Sequence, residues 1–528
     1  MPKKLYLETF GCQMNVLDSE LVLGQLRGQG YVPTEDRDAA DVVIYNTCSV
    51  REHAEQKVWS RLGELRERKK ADPGLVIGVI GCLAERDGTG TFEKFPFVDI
   101  LCGPGELDKL AGMVHNAVVA NGAAGGFGSV SALDPAVATP PLPSGEGTGA
   151  SARGKQVALM GAGVRRSSTL QAAEDNLELL DLSRSISPAD GVRQAYVRIT
   201  RGCNKFCTYC VVPYTRGPEV HRPPGNIVDE VRRLTEAGAR EVTLLGQTIN
   251  HYAYRHGDGR TTTFADLLHQ VHEAVPGLPR LRFVTSFPRD FTDAALHAMR
   301  DCPRVCRYLH VPAQSGSDRI LRLMNRGYTA RQYYDFIDRA RAYMPDVCVA
   351  SDFIVGFPTE SDEDFGRTVE MVRRCRFKNS FIFKYSPRPG TVAIDRHPDD
   401  VPEPVKRRRN NELLAVQQAV CDALNREMVG RTVQVLVEGE SKLVSKRSAY
   451  PGSNVELGWE KRGRLRTTHT QLVGRTPGDQ IVVFDGPTSL KGELVDVAIT
   501  RGQNLTLFGE LAEDVPARPA PALTASGT

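Results

Sequence analysis

Residues 201–210 read RGCNKFCTYC. Cys203, Cys207 and Cys210 form a Cys-x3-Cys-x2-Cys run directly after an apolar, strand-like segment at 195–200. That spacing brings three thiolates within reach of one metal centre, and thiolate softness favours iron–sulfur or zinc. A structural zinc or an ordinary iron–sulfur cluster takes four protein ligands. Here no fourth cysteine follows nearby, the next being Cys302. Two readings stay open on spacing alone. One is a zinc completed by a remote His or Cys. The other is a four-iron cluster with one iron left open, as a catalytic site requires.

The segment at 195–200 is the first of a series. Further candidate strands lie at 241–246, 281–285, 305–312, 347–355 and 379–385, with helical stretches between them. Six βα units predict a partial (β/α)6 barrel with its chemistry at the carboxyl ends of the strands. Upstream, 5–7, 41–45, 76–80 and 98–101 alternate with amphipathic stretches, which predicts a parallel α/β sheet. Downstream, TVQVLVEG, QIVVF, ELVDVAIT and LTLFGEL predict a small, OB-like β-barrel. The class is therefore α/β, divided as 1–120, a Gly/Ala/Ser/Pro-rich insert at 121–170 expected to be disordered, 189–424, 425–512, and a disordered tail at 513–528.

Bulk numbers exclude little. The chain has 528 residues, 41% hydrophobic and 25% charged, with a formal net charge of +3. That balance demands no anionic partner, so any nucleic-acid affinity comes from local patches. No apolar run approaches the ~20 residues that span a bilayer. MPKKLYLETFGC at the start shows no signal-like region. We expect a cytoplasmic, reducing setting, no membrane, and 12 cysteines serving as ligands or redox groups more than as bridges.

A second set of cysteines follows predicted parallel strands: Cys12 in ETFGCQMN, Cys48 in YNTCSV and Cys82 in VIGCLAER. Carboxyl ends of parallel strands share one sheet edge, so these thiols can converge in space. Cys102, in DILCGPGE, also ends a strand, and geometry alone does not exclude it. Any one of the four can equally be a buried, inert thiol.

RGCNKFCTYCVVPYTRG resembles the radical S-adenosylmethionine (SAM) family. The resemblance implies a 4Fe–4S cluster on Cys203, Cys207 and Cys210 whose open iron binds SAM. Reductive cleavage of SAM then gives a radical that abstracts hydrogen from an unactivated C–H bond. Tyr209 would pack near the adenine. GCQMN, NTCSVREHAEQKV and GCLAER resemble the N-terminal domain of methylthiotransferases, the sulfur-inserting members. By that likeness Cys12, Cys48 and Cys82 hold a second 4Fe–4S cluster, and Cys102 has no counterpart. Further matches are LLGQTINHY, HVPAQSGSDRILRLMNRGYT, SDFIVGFPTESDEDF and KYSPRPGT. These lie at or just beyond predicted strand ends and so should ring the barrel mouth; by position there, Gln247, Ser286, Gln314, Ser315 and Asp352 are candidate SAM or substrate contacts. Thr248 departs from the family's LGQNVNSY pattern; Asn250 keeps to it.

Three branches share this architecture. GCQMNVLDSE resembles the branch that methylthiolates C2 of N6-isopentenyladenosine at position 37 of tRNA. The alternatives are threonylcarbamoyladenosine in tRNA and an aspartate of a ribosomal protein. The C-terminal segment resembles a TRAM domain, a small barrel that grips RNA. Lys442, Lys446, Arg447, Lys461, Arg462, Arg464 and Arg466 lie there with Tyr450 and Trp459, a mix suited to phosphates and unpaired bases. A solvated loop face gives the same pattern. The run Lys406–Arg409 either extends that surface or covers a helix. Implied partners are the tRNA anticodon loop, SAM and an electron donor such as flavodoxin or ferredoxin, with the protein a monomer. A non-catalytic iron–sulfur carrier and a zinc-stabilised RNA module are the competing classes.

Overall fold

The computed structural model describes residues 2–49, 52–124, 155–160, 177–184, 186, 191–441 and 469–512. The insert's residues 125–154 and 161–170, the basic segment at 442–466 and the tail at 513–528 lie outside the described residues.

The N-terminal sheet has six parallel strands: β1 (Lys4–Phe10), β2 (Val32–Pro33), β3 (Val42–Thr47), β4 (Val76–Ile80), β5 (Ile100–Cys102) and β6 (Gln156–Ala158), in the order β2-β1-β3-β4-β5-β6. β3 and β4 are buried at every residue, as central strands covered on both faces must be. β6 corrects one expectation, since it lies inside the 121–170 stretch predicted to be disordered. It pairs Ile100 with Gln156 and Cys102 with Ala158. An edge strand needs only one paired side, and three residues suffice, so the composition around it hides it.

The central domain carries six parallel strands in sequence order: Gln194–Arg198, Glu241–Leu245, Arg280–Phe283, Tyr308–His310, Cys348–Val355 and Asn379–Lys384. A parallel bridge between Leu281 and Val305 joins its two three-stranded halves into one partial barrel. Its core includes Val197, Leu244, Phe283, Leu309 and Phe353. A 26-residue helix, Glu403–Met428, leads to a closed five-stranded barrel. One strand of it, His469–Arg475, has no counterpart among the predicted runs. This small barrel docks at the amino ends of the central strands. There Arg280 donates to Arg475 O at 2.8 Å, and Lys378 pairs with Asp479 at 2.7 Å. The opposite end, where chemistry is expected, is left to other elements. Among the described residues, no helix is long and apolar enough to cross a membrane.

The first barrel strand is clamped to the N-terminal domain by buried ion pairs. Arg198 donates to Asp18 at 2.8 Å and to Asp181 at 2.7 Å, and Arg216 donates to the other oxygen of Asp18 at 2.8 Å. All four side chains are nearly fully enclosed.

Candidate active site: two sets of three cysteines

The loop after Gln194–Arg198 returns on itself as a short hairpin, Thr200–Arg201 against Val220–His221. Gly202 sits where the loop leaves that hairpin, with φ +66°, and a Cβ there would lie 1.9 Å from Pro218 O. Only glycine fits. Inside the loop, Cys210 N donates to Cys207 O at 3.0 Å, and Asn325 Nδ2 donates to Phe206 O at 2.9 Å. Phe206 itself holds φ +49°. These restraints gather the three thiols. Burial pushes the Cys210 thiol well up, and the charges of Cys207 and Cys203 add to the rise. Burial also raises Cys203, against a 3.5 Å contact with Thr248 Oγ1 that lowers it. Clustered buried thiolates repel unless a cation neutralises them, which is the situation a metal centre resolves. Arg326 supplies part of that charge, donating to Cys207 Sγ at 3.4 Å.

In the N-terminal domain, Cys12 caps the helix Gln13–Gly28, Cys48 follows β3, and Cys82 opens the helix Cys82–Asp87. A Cβ on Gly11 would lie 2.6 Å from Cys48 Cβ, so the first two chain segments pass at backbone distance. A hydrogen bond from Cys48 holds Cys12 down at about 6, helped by the Arg216 charge and the N–H groups of Asn15 and Met14. Burial raises Cys82, and Arg216 and Cys12 act on it in opposite directions. Cys12 and Cys48 are thus in contact, Cys82 lies within electrostatic range of Cys12, and Arg216 faces both Cys12 and Cys82 as a counter-charge. Buried Asn46 ties the floor together. It donates to Asn15 O at 2.8 Å and accepts from Asn15 Nδ2 at 2.9 Å.

Cys102 is not part of this set. Its thiol is fully buried, donates to Glu106 O at 3.3 Å and sits among Glu106, Asp108 and Glu85. Replacing Cys102 with alanine is expected to cost about 1 kcal/mol of stability, the scale of a small buried deletion. Iron bound per chain should not change, and elemental analysis of the purified variant checks it.

The other candidates lie at successive strand ends. Gln247 is half-buried, two residues past Leu245. Ser286 and Gln314 are buried, and Ser286 Oγ and Gln314 Oε1 have no hydrogen-bond partner among the described residues. Buried orphan oxygens are costly, so their presence fits a polar ligand at this mouth. A Cβ on Gly246 would lie 2.3 Å from Thr200 Oγ1, another buried orphan, which marks the same cradle. Asp352 Oδ1 lies 3.0 Å from His310 Nε2. Ser315 is fully enclosed, and its hydroxyl accepts from Ser317 N at 3.2 Å. Tyr209 is half-buried with its ring edge-on to Phe357 at 6.5 Å.

Residues 4–103 match Uncharacterized protein family UPF0004, 197–372 the Radical SAM superfamily and 449–512 the TRAM domain. The tRNA-2-methylthio-N(6)-dimethylallyladenosine synthase of Rhodopirellula baltica is 44% identical over 97% of this chain and 96% of its own. That of Chromobacterium violaceum is 38% identical over 96% of this chain and 98% of its own. The chain belongs to the tRNA-2-methylthio-N(6)-dimethylallyladenosine synthase family. Among solved structures, the radical S-adenosylmethionine methyltransferase TsrM from Kitasatospora setae is 13% identical, with a TM-score of 0.45 over 74% of this chain and 77% of that one.

For a member of this synthase family, two residues that face the thiols escape a reading by cysteine spacing. Arg216 and Arg326 both lie inside the quoted motifs, yet nothing in spacing says that each faces a thiol. The basic run at 406–409 also resolves. Lys406 pairs with Asp399 at 2.6 Å and Arg409 with Glu360 at 2.9 Å, both buried, so only Arg407 and Arg408 remain on the surface. That run mainly anchors a helix.

Proposed function

We propose that this chain methylthiolates C2 of N6-isopentenyladenosine at position 37 of tRNA. The observation that carries the reading is the presence of two three-cysteine sets, each at strand or loop ends, in a chain of this synthase family. Cys203, Cys207 and Cys210 would hold one 4Fe–4S cluster and Cys12, Cys48 and Cys82 the other, each with an iron left open. With SAM bound, these groups supply hydrogen abstraction from an unreactive C–H bond and the sulfur that replaces it.

The chain's own part is positioning and shielding. Gly202 and the 200–221 hairpin fix the first cysteine loop. Arg326 and Thr248 touch its thiols from the barrel side. Gln247, Ser286 and Gln314 offer hydrogen bonds to SAM around the mouth. Asp352, held by His310, faces the same rim. Arg216 balances the second set's charge. The adenine has to leave the anticodon-loop stack to reach both sets. The 442–466 segment would contact the RNA backbone. We further propose a cytoplasmic monomer reduced by a flavodoxin or ferredoxin.

Mass spectrometry of tRNA nucleosides from a deletion strain tests this. The 2-methylthio form of N6-isopentenyladenosine should vanish and its unthiolated precursor accumulate, while 2-methylthio-threonylcarbamoyladenosine stays constant. Unchanged 2-methylthio-isopentenyladenosine would overturn the assignment.

A further inference from the structure

One cluster of metal-ligating side chains is unused by the function above. Glu219, His221 and His251 each bring a ligand atom within 4.8 Å of the other two. Glu219 immediately precedes, and His221 ends, the returning strand Val220–His221 of the hairpin that closes the radical-site loop. His251 ends the turn Ile249–His251, just after Thr248, which touches Cys203. The three residues therefore tie together two pieces of chain that both reach the first cysteine set.

Glu219 makes the cluster more than a chance meeting. Its side chain is 1% exposed. Oε2 lies 2.7 Å from His251 Nδ1, and Oε1 is buried with no partner among the described residues. No lysine or arginine among the described residues pairs with it. A carboxylate enclosed that far with one oxygen unmatched is costly unless a further positive charge meets it. The imidazoles are placed to complete such a site. His221 packs edge-on against Tyr252 at 5.6 Å, which sets its ring plane. The Ala253 N–H approaches His221 Nδ1 only at 3.4 Å, a long contact that an ion displaces at little cost. His251 is 45% exposed, which gives an ion a path from solvent. Two imidazole nitrogens and one carboxylate oxygen are a borderline donor set that suits zinc-class divalent ions, with water filling the remaining position.

We propose that Glu219, His221 and His251 bind one divalent transition-metal ion of the zinc class. This centre shares no ligand with either cysteine set. It pins the hairpin that closes the radical-site loop to the 249–251 turn.

The test uses the full-length protein with both cysteine sets loaded with iron and sulfide. It is equilibrated anaerobically in buffered zinc, then measured by elemental analysis and zinc K-edge absorption. We expect one zinc per chain, a nitrogen/oxygen shell with imidazole scattering, and a raised thermal midpoint. His251→Ala and Glu219→Gln should each weaken zinc binding more than about ten-fold, with iron content unchanged. His221→Ala should do the same; if it also loses iron, His251→Ala, on the exposed side, decides. No stoichiometric zinc, a sulfur shell, or unaltered affinity in His251→Ala and Glu219→Gln would each overturn the proposal.

Discussion

A Cys203→Ala protein is expected to form no 5′-deoxyadenosine from SAM, whereas a Cys12→Ala protein should still form it but release tRNA without sulfur. The difference follows from how the two sets are built. Cys203 stands on a barrel loop fixed by Gly202 and by contacts to Phe206, Thr248 and Arg326. None of those restraints involves the N-terminal sheet. Cys12, Cys48 and Cys82 stand on strand ends of that sheet, and none of them contributes a ligand to the loop. With only three thiols in a set, losing one leaves two, too few to hold a cluster with one open iron. We expect SAM cleavage by Cys203→Ala to fall below a thousandth of wild type, about 4 kcal/mol or more in barrier. In Cys12→Ala, cleavage should stay within a few-fold. Chromatography of deoxyadenosine and mass spectrometry of the tRNA nucleosides read both arms. Normal methylthio product from Cys12→Ala would remove the second set from the reaction.

The second large effect concerns stability. Asp18 is 1% exposed and accepts from Arg198 and Arg216, each at 2.8 Å. Asp18→Ala would leave two enclosed guanidinium groups facing a gap. Breaking a buried pair from one side typically costs about 3–5 kcal/mol, because the stranded charge stays buried. Arg198 keeps Asp181 as a partner, at 2.7 Å. Arg216 keeps no other ion-pair partner among the described residues. The variant should therefore also lose iron selectively from the N-terminal set. Urea unfolding and iron per chain measure the two effects. A stability change under about 1 kcal/mol, or equal iron loss from both sets, would contradict the pairing.

Much of this architecture is legible without coordinates, for reasons that differ by element. The six central strands are apolar runs regularly spaced by helices, so their positions read directly from the sequence. β6 does not, because three residues in a Gly- and Pro-rich setting carry no periodicity. Cys102 shows a sharper limit. Strand-end placement alone made it equal to Cys82; the family pattern leaves it without a counterpart, and the physical separation is the direction of its side chain, toward Glu106. Ser315 and Ser286 illustrate the same point in reverse. Both lie in loops at strand ends, yet one hydroxyl is satisfied internally and the other is not. Arg216 and Arg326 are long side chains reaching across domain or loop boundaries, a relation that no local pattern encodes.

Arg216 stands six residues after Cys210, and its charge lies against Cys12 and Cys82. One short stretch of chain thus supplies ligands to one centre and the counter-ion of the other. The spacing between the centres is set by covalent bonds as well as by domain docking, so the loop acts as a ruler. An order of maturation is the expected consequence. Until the loop has folded onto the barrel, the N-terminal thiolates lack their balancing cation, and that pocket is poorly prepared to receive iron. A chain with a misfolded radical-site loop would therefore be deficient at both centres, not at one.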